Sequence, residues 1–251
     1  MSQSATLCDA AGAGDVAAVA TLLDARCNVN EIDDSGSTPL ILAAEEGHVA
    51  VLQKLIDARA NVNATNNRQD TALSVAVYAE DLEAAEVLVS CGLPHSYVVG
   101  LCRAAVNDHV DMIALLVGAK ADVNCLHPTD LSPLHWASSK GSANAVKWLL
   151  EASAEVDCCG YRDHTPLTFA CVHSGGGGEV IRALVDGGAD INSQDERGCT
   201  ALSLACRSGY HDAIQVLTAA GADVGLADYD DETPLDKALF DGPFFFASRG
   251  V

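Results

Sequence analysis

Polar and apolar positions alternate in a fixed order along residues 38–63. Thr38-Pro39-Leu40 opens an apolar run to Ala44, Gly47-His48 interrupts it, and Val51, Leu52, Leu55 and Ile56 follow on one stripe. The pattern predicts two short helices: a hydroxyl caps the first, Pro sits at its first position where the missing N–H costs nothing, and the stripe marks the buried side of the second. A short extended stretch, Asn61-Val62-Asn63, is expected to follow, then a polar turn.

The same order returns along the chain. Thr71-Ala72-Leu73, Ser132-Pro133-Leu134, Thr165-Pro166-Leu167, Thr200-Ala201-Leu202 and Thr233-Pro234-Leu235 repeat the opening. With Leu101 from a weaker copy, the leucines stand at 40, 73, 101, 134, 167, 202 and 235, in steps of 33, 28, 33, 33, 35 and 33. Alanines at 43, 76, 137, 170, 205 and 238 recur in phase and let neighbouring helices approach. Further extended stretches are expected at Asp122-Val123-Asn124, Asp190-Ile191-Asn192 and Asp223-Val224-Gly225. A period near 33 residues marks a repeat protein, in which each unit buries its stripe only against its neighbours.

The order Asp-x-x-Gly-x-Thr-Pro-Leu, Ala-Ala-x-x-Gly-His, Leu-Ile-x-x-x-Ala-x-Val-Asn over Asp33 to Asn63 resembles the ankyrin repeat. The resemblance covers about residues 4–241 and implies an all-α repeat solenoid. Its units would be antiparallel helix pairs joined by projecting β-turn fingers, stacked with a concave face. Seven to eight units are expected in one domain: 4–30, 31–63, 64–94, 95–124, 125–157, 158–192, 193–225 and 226–241, followed by a tail, 242–251. The fourth unit has Val99-Gly100-Leu101 where Thr-Pro-Leu is expected, which predicts a shortened finger and a notch. Gly175 to Gly178 lengthens the link between two helices, and the last unit is truncated. Arg26, Arg59, Lys120 and Ser153 occupy helix-end positions where the family places a left-handed glycine, as at Gly92, Gly188 and Gly221.

Composition narrows the function. Apolar residues make up 49% of the 251 but aromatics only 5%, so the core is Ala, Val and Leu. No apolar stretch reaches the roughly 18 residues of a membrane span, and Met1 to Leu7 lacks a basic signal-peptide region. The expectation is a protein of the cytoplasm or nucleus, not bound to membrane. Its ten cysteines would then be free thiols, and Asn63-Ala64-Thr65 a chance glycosylation match. The formal net charge is −21, and both halves are acidic. No basic footprint for nucleic acid exists, and the field would attract a partner with a basic surface.

Candidate chemistry is thin. Cys158, Cys159, His164, Cys171 and His173 are the strongest metal candidates, but paired zinc spacings are absent and the structural reading is preferred. The glycine run has no following Gly-Lys-Ser/Thr, which speaks against phosphate binding. Asp228 to Leu239 is a poor calcium loop, with Thr233 at the sixth place and Leu239 at the twelfth. Ser132 and His135 lack an orienting third group, and the resemblance implies a structural His hydrogen-bonding within the finger. Neither catalytic residue, metal nor cofactor is expected.

The resemblance places partner contacts at finger tips and on the exposed side of first helices. In the second unit these are Asp34, Ser35, Ser37, Glu45 and Glu46; in the third, Asn67, Arg68, Asp70 and Tyr78. Leu131 and Lys140 follow, then Tyr161, Arg162, His164 and His173. Glu196, Arg197 and Arg207 come next, and finally Tyr229 and Asp230. Tyr and Arg in the later units are residue types enriched at binding hot spots. The expected function is a non-catalytic, monomeric adaptor or scaffold that binds a protein partner. The alternatives are a regulatory inhibitor or targeting subunit of an enzyme, or the interaction arm of a larger protein. Phe244-Phe245-Phe246 is expected either to fold back over the exposed end of the stack, the preferred reading, or to be a partner-binding segment.

Overall fold

A computed structural model describes residues 6–91, 97–173 and 177–240. These residues form short helices, with one isolated bridge between Gln194 and Thr200. In order the helices are α1 (Leu7–Gly12), α2 (Val16–Asp24), α3 (Pro39–Glu45), α4 (Val49–Asp57), α5 (Ala72–Tyr78), α6 (Leu82–Val89), α7 (Tyr97–Val106) and α8 (Val110–Gly118). They continue as α9 (Pro133–Lys140), α10 (Ala143–Glu151), α11 (Pro166–His173), α12 (Gly178–Asp186), α13 (Ala201–Ser208), α14 (His211–Ala219) and α15 (Pro234–Phe240). Two compact units form, one ending at Ala104 and including Asp111–Ala121, the other made of Ala105–Val110 and the chain from Asp122 onward.

The hydroxyl caps set where the first helices begin. Thr38 Oγ1 accepts from Ile41 N at 3.3 Å, and Thr71 Oγ1 from Ser74 N at 3.1 Å. Thr165, Thr200 and Thr233 do the same at 3.3, 3.2 and 3.3 Å. α7 begins further ahead of its repeat leucine. Leu101 is its fifth residue, whereas Leu40 is the second residue of α3, so Val99-Gly100-Leu101 lies inside a helix that starts earlier. The shortened finger expected before it falls on residues 92–96, outside the described residues, as does Gly92.

The core follows the leucine register. Leu40, Leu73, Leu101, Leu134, Leu167 and Leu202 are buried, as are Ala43, Ala76, Ala137, Ala170 and Ala205. Each such leucine contributes roughly 1.5–3 kcal/mol on leaving water. Leu235 breaks the series: it is 65% exposed, and Leu239 is exposed with it. The fold-back expected of Phe244 to Phe246 lies outside the described residues. Of the glycine run, Gly177 caps α12 and Gly178 begins it; residues 174–176 are not described.

Arg26, Arg59, Lys120 and Ser153 hold φ of 59°, 63°, 71° and 68°, the conformation that Gly188 and Gly221 adopt at 91° and 89°. After α4, Arg59 N donates to Ile56 O at 2.8 Å and Ala60 N to Leu55 O at 2.9 Å. The bonds around Gly188 and Ala189 follow the same pattern.

The stretches expected to be extended are turns instead. Asn63 N donates to Asn61 Oδ1 (3.1 Å), Asn124 N to Asp122 Oδ1 (2.9 Å), Asn192 N to Asp190 Oδ1 (3.0 Å) and Gly225 N to Asp223 Oδ1 (2.8 Å). Short Asx side chains capture the backbone two residues on, and this local bond outcompetes extension. The same turns tie successive repeats. Asn30 Oδ1 accepts from Asn61 N at 2.7 Å in the first unit. In the second, Asn124 reaches Glu155 N at 2.9 Å, Asp157 reaches Asp190 N at 3.0 Å, and Asn192 reaches Asp223 N at 2.8 Å.

Candidate protein-interaction surface

Four fingers are built on a short polar side chain, Asp33, Asn66, Asp195 or Asp228, that collects backbone N–H groups. Asp33 Oδ1 accepts from Ser35 N, Ser35 Oγ and Ser37 N at 2.9, 2.7 and 2.8 Å. Burial pushes its carboxyl up, but these bonds outweigh that and hold it below the usual carboxylate range. Fingers are then joined backbone to backbone: Asn67 N donates to Ser35 O at 3.1 Å, Glu196 N to Arg162 O at 3.2 Å and Tyr229 N to Arg197 O at 3.0 Å. Gly198, at φ +77°, permits the last contact, since a Cβ there would stand 2.7 Å from the Tyr229 ring.

In the first unit, Glu45, Arg68 and Tyr78 meet in a groove of about 330 Å³ that Asp70, Val75 and Arg103 also line. Arg68 approaches Glu45 and Asp70, both at 3.7 Å, and Arg103 approaches Asp70 at 3.5 Å. The Arg103 guanidinium lies 5.0 Å from the Tyr78 ring centre, and Tyr78 remains 67% exposed. Asp34 and Glu46 are exposed nearby in sequence, and Asn67 rests against Gly36. Ser37, expected at the surface, is buried because its finger closes over it.

In the second unit, Tyr161 and Arg162 occupy a tight turn with Arg162 at φ 60°. The Arg162 guanidinium sits 5.1 Å from the Tyr161 ring and 3.3 Å from Glu196. Phe169 packs on His173 at 4.3 Å and on His164 at 6.0 Å. His164 is mostly buried: its Nδ1 lies 3.8 Å from Asp195 Oδ2 and has no hydrogen-bond partner. Burial lowers its pKa despite that carboxylate. Arg197, Tyr229 and Asp230 are exposed, Lys140 is exposed at the end of α9, and Arg207 is half-buried in the last turn of α13. Leu131 does not belong to this surface. It is 7% exposed, because a leucine at the base of a finger is drawn into the core.

The residues with catalytic or metal potential are engaged structurally. Ser132 N and Oγ lie 3.2 and 2.9 Å from His135 Nδ1, while His135 Nε2 lies 2.9 Å from the carbonyl oxygen of His164. The ring thus bonds within its own finger, through Ser132, and also reaches the next. Among the described residues, no three His, Cys, Asp or Glu side chains gather as a metal site. None of the ten cysteines forms a disulfide. Burial pushes Cys8 and Cys171 up to about 12 and Cys199 up to about 11, so these thiols are protonated, not nucleophilic, at neutral pH. In the loop from Asp228, Oδ1 accepts from Asp230 N and Glu232 N at 3.0 Å each, and Oδ2 meets Lys237 Nζ at 2.8 Å. The cation of that loop is the protein's own. Among the described residues no helix is long and apolar enough to cross a membrane.

A family model described as "Ankyrin repeats (3 copies)" matches residues 7–96, 101–195 and 174–245. The chain belongs to the ankyrin-repeat family. It is 30% identical over 142 residues to the ankyrin repeat and KH domain-containing protein mask-1 of Caenorhabditis elegans, a match covering 57% of this chain and 5% of mask-1. It is 30% identical over 160 residues to the ankyrin repeat protein YahD of Escherichia coli K12, covering 60% of this chain and 80% of YahD. The human ASB11 ankyrin repeat domain superposes with a TM-score of 0.75 at 27% identity, covering 88% of this chain and 99% of that domain. Ankyrin repeats are a protein–protein interaction module.

Three residues that matter here escaped the motif reading: Arg103, Phe169 and Lys237. All stand two places after the repeat leucine, where other copies carry Leu42, Val75, Trp136 and Leu204. Comparing that one position across repeats would have exposed them.

Proposed function

We propose that this chain is a non-catalytic adaptor or scaffold that holds a protein partner on its finger tips and first helices. The supporting observation is the backbone link between successive fingers. Because Glu196 N binds Arg162 O and Tyr229 N binds Arg197 O, the exposed Tyr161, Arg162, Arg197 and Tyr229 stand on an ordered base. Aromatic and arginine anchors held in place lose little entropy on binding. The groups that could do chemistry are neutralised or spent on structure, which favours binding over catalysis. A second reading, the interaction arm of a larger protein, is favoured by mask-1, in which the matched repeats are 5% of the whole.

The test is affinity capture with mass spectrometry on the wild type and on Tyr161→Ala/Arg162→Ala. A partner lost from the folded double variant supports the reading. Capture of no partner by the wild type, or identical capture by both proteins, removes it.

A further inference from the structure

Three consecutive first helices of the second unit, α9, α11 and α13, contain no carboxylate. Each instead ends on a basic residue in its last turn: Lys140, His173 and Arg207. In a chain of net charge −21 this is a local reversal of sign. By contrast, α3 ends on Glu45 with Glu46 after it, and Glu80 follows α5.

The three basic residues share their helix faces with apolar ones. Trp136 and Lys140 are four residues apart, as are Phe169 and His173, while Leu204 and Arg207 are three apart. Such pairs lie one above the other on a helix. The 4.3 Å contact between the Phe169 and His173 rings shows the stacking directly. α9 packs on α11 and α11 on α13, so the three faces run side by side. Lys140 is exposed and Arg207 half-buried, and neither has an ion-pair partner among the described residues.

We infer that this row is a docking surface for an acidic segment of a partner protein, carrying Asp or Glu at every third position in a polyproline-II conformation. The spacing follows from geometry. Packed helices stand about 8–10 Å apart, and a polyproline-II chain has three residues per turn and about 3.1 Å per residue. Carboxylates at i, i+3 and i+6 therefore fall on one side, about 9 Å apart. The outer two meet Lys140 and Arg207; the middle one accepts a hydrogen bond from the His173 imidazole. Apolar residues between them cover the part of Trp136 that the fold leaves exposed. The net charge favours a basic partner at a distance, but at contact range the local cations decide which groups are paired.

The inference rests on the reading of the chain as a protein-binding module and specifies part of that surface. Its test is fluorescence anisotropy with a labelled proline-rich peptide bearing Asp at i, i+3 and i+6, against the same peptide bearing Lys there or Asp at alternate positions. The expected result is saturable binding of the first peptide that weakens with added salt and weakens about tenfold with Lys140→Glu or Arg207→Glu. Circular dichroism confirms the fold of each variant, and Lys140→Gln with Arg207→Gln replaces any that fails to fold. No binding of the Asp peptide, tighter binding of the Lys peptide, or indifference to both substitutions overturns the inference. If partner capture still depends on Tyr161 and Arg162 while no acidic peptide binds, only this inference falls; if nothing is captured, the broader reading falls.

Discussion

The imidazole of His135 reaches from one repeat to the next, placing its Nε2 2.9 Å from the carbonyl oxygen of His164. A carbonyl only accepts, so Nε2 carries the proton and Nδ1 is the acceptor that receives Ser132 N–H at 3.2 Å. The ring is fully buried, and burial is the main reason its pKa lies below the ordinary value. His135 is therefore a neutral strut between fingers. Replacing it with Ala leaves Ser132 N and the His164 carbonyl without this partner and opens a cavity. The expected loss is about 2–4 kcal/mol in urea denaturation; a loss well below 1 would contradict the strut.

The same strut makes stability depend on pH. In the unfolded chain the imidazole titrates near 6.5, and in the folded protein only at lower pH. The unfolded state thus takes up the proton first as pH falls. Stability from the neutral ring is complete above about 6.5 and is lost as pH drops toward the folded value. Burial shifts His164 and His173 in the same direction. The urea midpoint of the wild type is expected to fall between about pH 7.5 and 5 more steeply than that of His135→Gln. Equal slopes would show that His135 does not carry the effect.

Lys237 is the one cation in residues 222–241 and is only 7% exposed. It pairs with Asp228 at 2.8 Å and with Glu232. Burial alone would lower its pKa, but the two carboxylates raise it above the usual lysine value. Removing one partner strands a buried charge, so Lys237→Ala is expected to cost about 3–5 kcal/mol. The double change Lys237→Met/Asp228→Asn should cost less than Lys237→Ala alone, which thermal denaturation of both variants would check. A greater loss in the double variant would mean that the pair itself is strongly favourable.

Arg59 adopts φ 63° at the end of α4, where an L side chain is strained and glycine is not. Arg59→Gly is expected to stabilise the protein by up to about 1 kcal/mol, read as a higher melting temperature. An unchanged or lower value would show that lost side-chain contacts or unfolded-state entropy outweigh the strain.

The contact of Arg103 with the Tyr78 ring should be measurable as a coupling. A double-mutant cycle with Arg103→Ala and Tyr78→Ala is expected to give about 0.5–1 kcal/mol at this exposed site. Strict additivity would mean that the stacking contributes nothing in solution.

Much of this structure was written locally in the sequence. Thr38, Thr71 and Thr200 announce helix starts because a cap is a bond between residues three apart, and Leu40 to Leu202 announce the core because repetition carries their register. The left-handed turns at Arg59 and Ser153 were legible for the same reason: the repeat supplies the place where glycine belongs. Other features depend on what the fold brings alongside, from within a repeat or from the next one. That His135 binds the His164 carbonyl, that Lys237 is buried between Asp228 and Glu232, and that Leu131 and Ser37 are covered are facts about neighbours some 5 to 30 residues away. Arg103 joins Tyr78 and Asp70 across separate elements, and nothing local in Leu-Cys-Arg-Ala-Ala marks it. Local bonds and periodicity determined where helices form and which side they bury; only packing decided which polar side chains were paired, covered or left exposed, because those outcomes are set by distances that the chain fixes when its repeats stack.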